Sequence, residues 1–128
     1  MLYRSNGFIV LVALLICSGC GDRDTSTPRA AIIGHWRVTA PDGSYHFDFY
    51  IRPDGTIIFS ESVKPGIYLD LKYKVGKQNT NFNTIEISMI QKDDGTWEEP
   101  KTYSLSQDFT EMDDGGIIFQ YVDSKLEP

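Results

Sequence analysis

Alternation with a period of two constrains this chain more than any other feature. Tyr45, Phe47, Phe49 and Ile51 share one face of a segment whose other face carries His46, Asp48 and Tyr50. Ile67, Leu69, Leu71, Tyr73 and Val75 alternate in the same way with Tyr68, Asp70, Lys72 and Lys74, and Ile85, Ile87 and Met89 with Glu86 and Ser88. Successive side chains of a strand point to opposite faces, so these segments fit half-buried antiparallel strands. Weaker strands are expected at Gly34 to Thr39, Thr56 to Ser62, Thr102 to Ser106, Phe109 to Met112 and Ile117 to Val122. Beyond the N-terminal apolar run, no window shows a helical period.

Turn chemistry falls where the strands stop. Asp-Gly pairs occur at Asp42-Gly43, Asp54-Gly55, Asp94-Gly95 and Asp114-Gly115. Glycine supplies the positive φ that such turns often need, and aspartate can bond its own backbone. In Arg52-Pro53-Asp54-Gly55 the proline suits the second position of a type I turn and the glycine the fourth. This predicts a tight hairpin joining Ser44–Ile51 to Thr56–Ser62. Gly76 to Asn83 reads as a longer polar hairpin loop. The whole pattern predicts an all-β domain, an antiparallel meander of about eight short strands closing into a small barrel, with a sandwich as the other arrangement.

The chain starts differently. Phe8 to Cys17 is an unbroken apolar run preceded by one fixed cation, Arg4, and followed by Ser18 and Gly19. It is shorter than the roughly 20 apolar residues that span a bilayer and fits the core of an export signal, placed at residues 1–19. Cys17-Ser18-Gly19-Cys20 resembles the bacterial lipobox, in which a small residue precedes a cysteine that is acylated and becomes the new amino terminus. The resemblance implies a palmitate-type lipid anchor on Cys20, a cell-membrane or outer-membrane location, and a domain on the extracytoplasmic side. Residues 20–29 then read as the lipidated cysteine and a flexible tether, 30–122 as the domain and 123–128 as a polar tail. Cys17 and Cys20 are the only cysteines. The mature chain therefore has no free thiol for nucleophilic or redox chemistry and no disulfide, and its core alone must hold it together.

Charge removes further function classes. Loss of Arg4 with the leader leaves eleven bases against eighteen acids, a formal charge of −7. Nucleic-acid binding requires a basic footprint, and none is present. The acidic turns, including Asp93 to Glu99, lack the ligand register of a calcium loop, so no metal site or cofactor is expected. For acid–base chemistry there are two histidines. His35 is expected to face solvent if its neighbour Trp36 is core. His46 and Asp48 share a polar face and can pair, with no evident nucleophile beside them. No catalytic motif accompanies them, and Met89 and Met112 read as apolar packing residues. The expectation is a protein that is not an enzyme.

The domain opens with Gly34-His35-Trp36, followed by an aromatic strand and a hairpin in His46 to Phe59 (HFDFYIRPDGTIIF) and by Tyr103 through Met112. This order resembles lipocalins and small bacterial lipocalin-like domains, whose first strand carries a G-x-W motif. The resemblance implies that Trp36 plugs the closed end of a barrel and that Gly34 permits close packing beside it. Lipocalins commonly stack an arginine from the end of the barrel on that tryptophan. No arginine follows Arg52 here, so Lys125 is the only substitute the resemblance offers. Inward side chains would be Trp36, Tyr45, Phe47, Phe49, Phe59, Leu69, Leu71, Tyr73, Ile87, Phe119 and Tyr121. They either fill the interior or form the wall of one small-ligand site. The leading expectation is a membrane-anchored envelope lipoprotein whose non-catalytic barrel binds a small apolar ligand or lipid. The alternative is a solid-cored lipoprotein that binds an envelope protein through outward aromatics such as Tyr50 and Tyr68.

Overall fold

The computed structural model of the protein describes residues 23–90 and 95–128. The expected signal segment, Cys20 as the expected site of acylation, and Asp93 and Asp94 of the acidic turn lie outside these residues. Among the described residues, no helix is long and apolar enough to cross a membrane.

Eight antiparallel strands follow one another around a closed barrel: β1 Gly34–Thr39, β2 His46–Ile51, β3 Thr56–Glu61, β4 Tyr68–Asn79, β5 Thr84–Met89, β6 Lys101–Leu105, β7 Glu111–Asp113 and β8 Ile118–Asp123. Each strand pairs with its sequence neighbour, and β1 pairs with β8 to complete the ring. Closure removes every free sheet edge among these strands. It decides for the barrel over the sandwich.

The predicted hairpin is present. Arg52 N–H donates to the Thr56 carbonyl at 2.9 Å, and Gly55 takes φ +88°. Register follows the alternation, with Phe49 opposite Phe59 and Ile57 opposite Leu71. Of the residues expected inward, Trp36, Tyr73 and Ile87 are buried in the core, which Ile51, Ile57, Ile85, Tyr103, Leu105 and Met112 complete, with Phe49, Leu71, Phe119 and Tyr121 partly buried against it. Each buried side chain of this kind contributes roughly 1.5–3 kcal/mol.

Besides small shifts of strand ends, three parts of the chain differ from the sequence reading. β4 does not stop at Val75. It crosses a register shift between Val75 and Gln78 and runs on to Asn79. Glu86 Oε1 accepts from the Lys77 N–H at 3.2 Å in this irregularity, so the expected loop shrinks to residues 80–83, where Asn83 takes φ +51°. Phe109 is not in a strand. It sits at φ +59° in a turn whose following N–H groups, Thr110 and Glu111, donate to Ser106 Oγ. β7 therefore starts at Glu111.

The third difference is at the N-terminal boundary. The packed domain begins before Ala30, and the stretch from Arg23 is not a free tether. Thr27 caps a four-residue helix, α1 Pro28–Ala31, by accepting from the Ala30 N–H through its hydroxyl at 3.1 Å. Pro28 occupies the first helical turn, where its missing N–H costs nothing. Pro28, Ala31 and Ile32 are buried, and the Arg29 N–H donates to Gln78 Oε1 at 2.9 Å. The polar composition hides an anchoring segment.

Antiparallel order sends the turns alternately to two ends. The turns after β2, β4 and β6 lie with α1 and the end of β8 at one end, called the base. The turns after β1, β3 and β7 and the connection after β5 lie at the other, called the mouth.

Candidate functional site

The base is tightly determined. Gly34 takes φ +135°, and a Cβ there would fall 2.8 Å from Tyr121 Cε1 and 3.0 Å from the Asp123 carbonyl. Glycine is thus required at this position. Trp36 has no exposed surface, and its Nε1–H donates to the Ile32 carbonyl at 2.8 Å. Tyr121 meets the indole edge-on at 5.3 Å. The arginine partner that the sequence lacks after Arg52 comes from the opposite direction. The Arg23 guanidinium lies 3.7 Å from the Tyr121 ring centroid and 5.5 Å from that of Trp36, and Nη2 donates to the Ala31 carbonyl at 2.9 Å. Burial pulls the Arg23 pKa below its ordinary value, while Tyr121 and Asp108 act the other way.

Above the plug, Phe49, Tyr73 and Phe119 line a central cavity together with Ile51, Ile57, Ile87, Met89, Tyr103 and Met112. Its volume is about 40 Å³. Pockets for drug-sized ligands run to roughly 300–1,000 Å³, so the side chains themselves occupy the interior. The Tyr73 hydroxyl donates to the Arg52 carbonyl at 2.6 Å and does not point a free donor at the cavity. Burial raises the phenol pKa of both Tyr73 and Tyr103. Met89, Tyr103 and Met112 were not among the expected ligand residues. The alternation of Tyr103 with Leu105 is the sequence signal that marks the strand carrying Tyr103.

Towards the mouth the aromatics continue as a stack. Phe47 lies 5.7 Å from Phe59, Phe49 5.1 Å from Phe59 and 5.3 Å from Phe119. Leu71 packs against the core, whereas Leu69 joins Phe59, Ile67 and Tyr68 around a hollow of about 200 Å³. Tyr45 meets Phe47 edge-on at 5.3 Å but is 38 % exposed, at the rim and outside the interior. Of the expected wall, Phe49, Tyr73, Ile87 and Phe119 line the central cavity, Trp36 and Tyr121 lie at the base below it, and Phe47, Phe59 and Leu69 lie towards the mouth outside it.

The outer wall holds a second cluster. Asp48 accepts from Arg37 Nε at 2.9 Å through Oδ1, pairs with His35 Nε2 at 2.6 Å through the same oxygen, and pairs with His46 Nε2 at 3.0 Å through Oδ2. His35 Nδ1 approaches Asp123 Oδ1 at 3.3 Å without hydrogen-bond alignment. The Tyr50 ring stacks on His35 at 4.2 Å. The His46–Asp48 pair is thus present, but it is no solvated pair, because Asp48 is buried. The expected solvent exposure of His35 and the outward display of Tyr50 are also corrected, since both are buried. Trp36 is covered inside the barrel and His35 on the outside by the stacked Tyr50 ring, beside a register shift between the two residues at the β1–β8 seam.

Burial pushes the Asp48 carboxyl up. The hydrogen bonds from His35 and Arg37, with the charges of Arg37 and His46, outweigh that and hold it below its ordinary value. A carboxylate already engaged by three side chains is a weak base. Among the described residues, no cluster of His, Cys, Asp and Glu could hold a metal ion. Compared with known proteins, the chain matches no protein-family model, no curated protein and no solved structure.

Proposed function

We propose that this chain is a lipid-anchored envelope protein whose lipocalin-like barrel acts as a non-catalytic interaction module and binds another envelope protein at its mouth. The filled interior carries this reading: a cavity of about 40 Å³ holds no guest larger than water-sized molecules. The placement of exposed apolar side chains points the same way. Tyr45, Val63, Ile67, Tyr68, Ile117 and Ile118 lie in mouth turns or in the first residues of strands that start there, and all are exposed; at the base, Phe82 in the β4–β5 loop is exposed as well. Exposed apolar groups gathered in one region mark interaction surfaces. The earlier leading expectation, a small apolar ligand, keeps one supporting observation, the mouth hollow lined by Phe59, Ile67, Tyr68 and Leu69.

A photo-cross-linking residue placed at Tyr68 of the full-length protein in its native cells tests the proposal. A single discrete adduct from Tyr68, with none from Asn81 at the base, is the expected result. Native mass spectrometry of the same purified protein is expected to show no added small-molecule mass. A bound mass lost on Tyr68→Ala substitution, with no protein adduct, would instead establish the ligand reading.

A further inference from the structure

A surface hollow lies at the base, outside the barrel. It measures about 460 Å³ and lies between the segment leading into β1 and the C-terminal tail. Ile33, Tyr121 and Leu126 give it apolar lining, and Arg23 and Arg29 line it as well. Two cations beside one hollow stand out on a chain this acidic. The one acid in the lining, Asp24, accepts a hydrogen bond from the Ser26 N–H at 2.9 Å. Asp108 acts on Arg23 from further away. The Arg29 guanidinium has no acidic partner among the described residues. Arg23 has one protein acceptor there, the Ala31 carbonyl, and its Nε is buried without a partner.

Covalent connection adds a second constraint. Arg23 is three residues after Cys20, and three residues reach at most about 10 Å. An acyl chain on Cys20 thus keeps the base at the lipid surface. The mouth is then a barrel length away, because six-residue strands such as β2 and β3 rise roughly 20 Å. Net negative charge argues against adhesion of the whole surface to anionic lipid. It does not argue against one cationic crevice held beside that lipid by a covalent tether.

We infer that this crevice receives the anionic head group of a membrane phospholipid, with Arg23 and Arg29 engaging its phosphate and Ile33 and Leu126 facing its apolar side. Guanidinium groups suit phosphate because their donors match its oxygens. The inference rests on the lipid-anchor reading above.

The test uses the full-length acylated protein in nanodiscs, either of phosphatidylcholine alone or with phosphatidylglycerol added. Hydrogen exchange of residues 23–33 is followed by mass spectrometry, and the intact mass reports acylation. Phosphatidylglycerol is expected to slow exchange in this segment about fivefold, with residues 62–67 at the mouth unchanged. Arg29→Gln, at a side chain without an ion pair, should remove the difference, and Arg29→Lys should restore part of it. Equal exchange in the two discs, or protection that survives Arg29→Gln, overturns the inference and leaves the anchor reading standing. An intact mass without acyl chains overturns both.

Discussion

The two ends of the barrel are made from the same residue types and treat them in opposite ways. At the base, the polar atoms of two aromatics are met by backbone: Trp36 reaches the Ile32 carbonyl and Tyr73 the Arg52 carbonyl. At the mouth, Phe47, Phe59 and Tyr45 pack ring against ring, and Tyr68 is 53 % exposed. Hydrogen bonds give the base a unique geometry, because a buried donor left unmet costs about 1–3 kcal/mol. Ring stacking at the mouth tolerates several arrangements of similar energy. The contrast shows where a barrel with no disulfide among its described residues gains its stability and which surface it leaves free for contact.

Substitutions at the two ends should separate this division of labour. Trp36→Ala removes the plug and orphans the Ile32 carbonyl, and urea denaturation should show a loss of about 3–5 kcal/mol. A loss below about 1 kcal/mol would mean that the base is not where stability is concentrated. Gly34→Ala forces a side chain to φ +135° and onto Tyr121. It is expected to cost about 1–3 kcal/mol, read from the same denaturation curve.

Asp48 ties β1 to β2 on the wall between the two ends. Asp48→Asn should cost about 1–3 kcal/mol at neutral pH and should also flatten the acid side of the stability profile. The sign follows from the depressed folded pKa of Asp48. The ionised carboxylate stabilises the fold above its unfolded value of about 3.9, and that contribution disappears as pH falls through the folded value. Urea midpoints measured from pH 7 down to pH 3 should therefore fall more steeply for the native protein than for Asp48→Asn. At the mouth, Tyr68→Ser should change stability by no more than about 0.5 kcal/mol while abolishing cross-links formed from a probe at neighbouring Ile67. A large destabilisation there would erase the distinction between the ends.

Much of the barrel was legible because period two directly reports which side of a sheet is buried. β1 matches its expected span, and the hairpin at Arg52 to Gly55 follows from Pro-Asp-Gly chemistry. The failures have specific physical causes. Alternation gives a side, not a depth, so it placed His35 and Tyr50 outward without showing that they would cover each other. Sequence order gave no arginine for Trp36, because none follows Arg52, whereas β1–β8 pairing and α1 bring Arg23 to the same end. Local polarity concealed α1, whose burial depends on the finished base. Whether inward aromatics fill a barrel or wall a site depends on how their volumes fit together, which no single strand records. The interior leaves about 40 Å³.

Closure through β1 and β8 also has a kinetic consequence. The seam pairs Trp36 with Tyr121, so the ring cannot form until nearly the whole domain has been synthesised. Until then β1 has an open edge, and the hydrophobic meander can pair with other chains. Such distant pairing is slow to form, because a long loop must close before its contacts repay the lost entropy. A chain truncated before Ile118 should therefore behave as an aggregation-prone sheet rather than as a slightly smaller barrel.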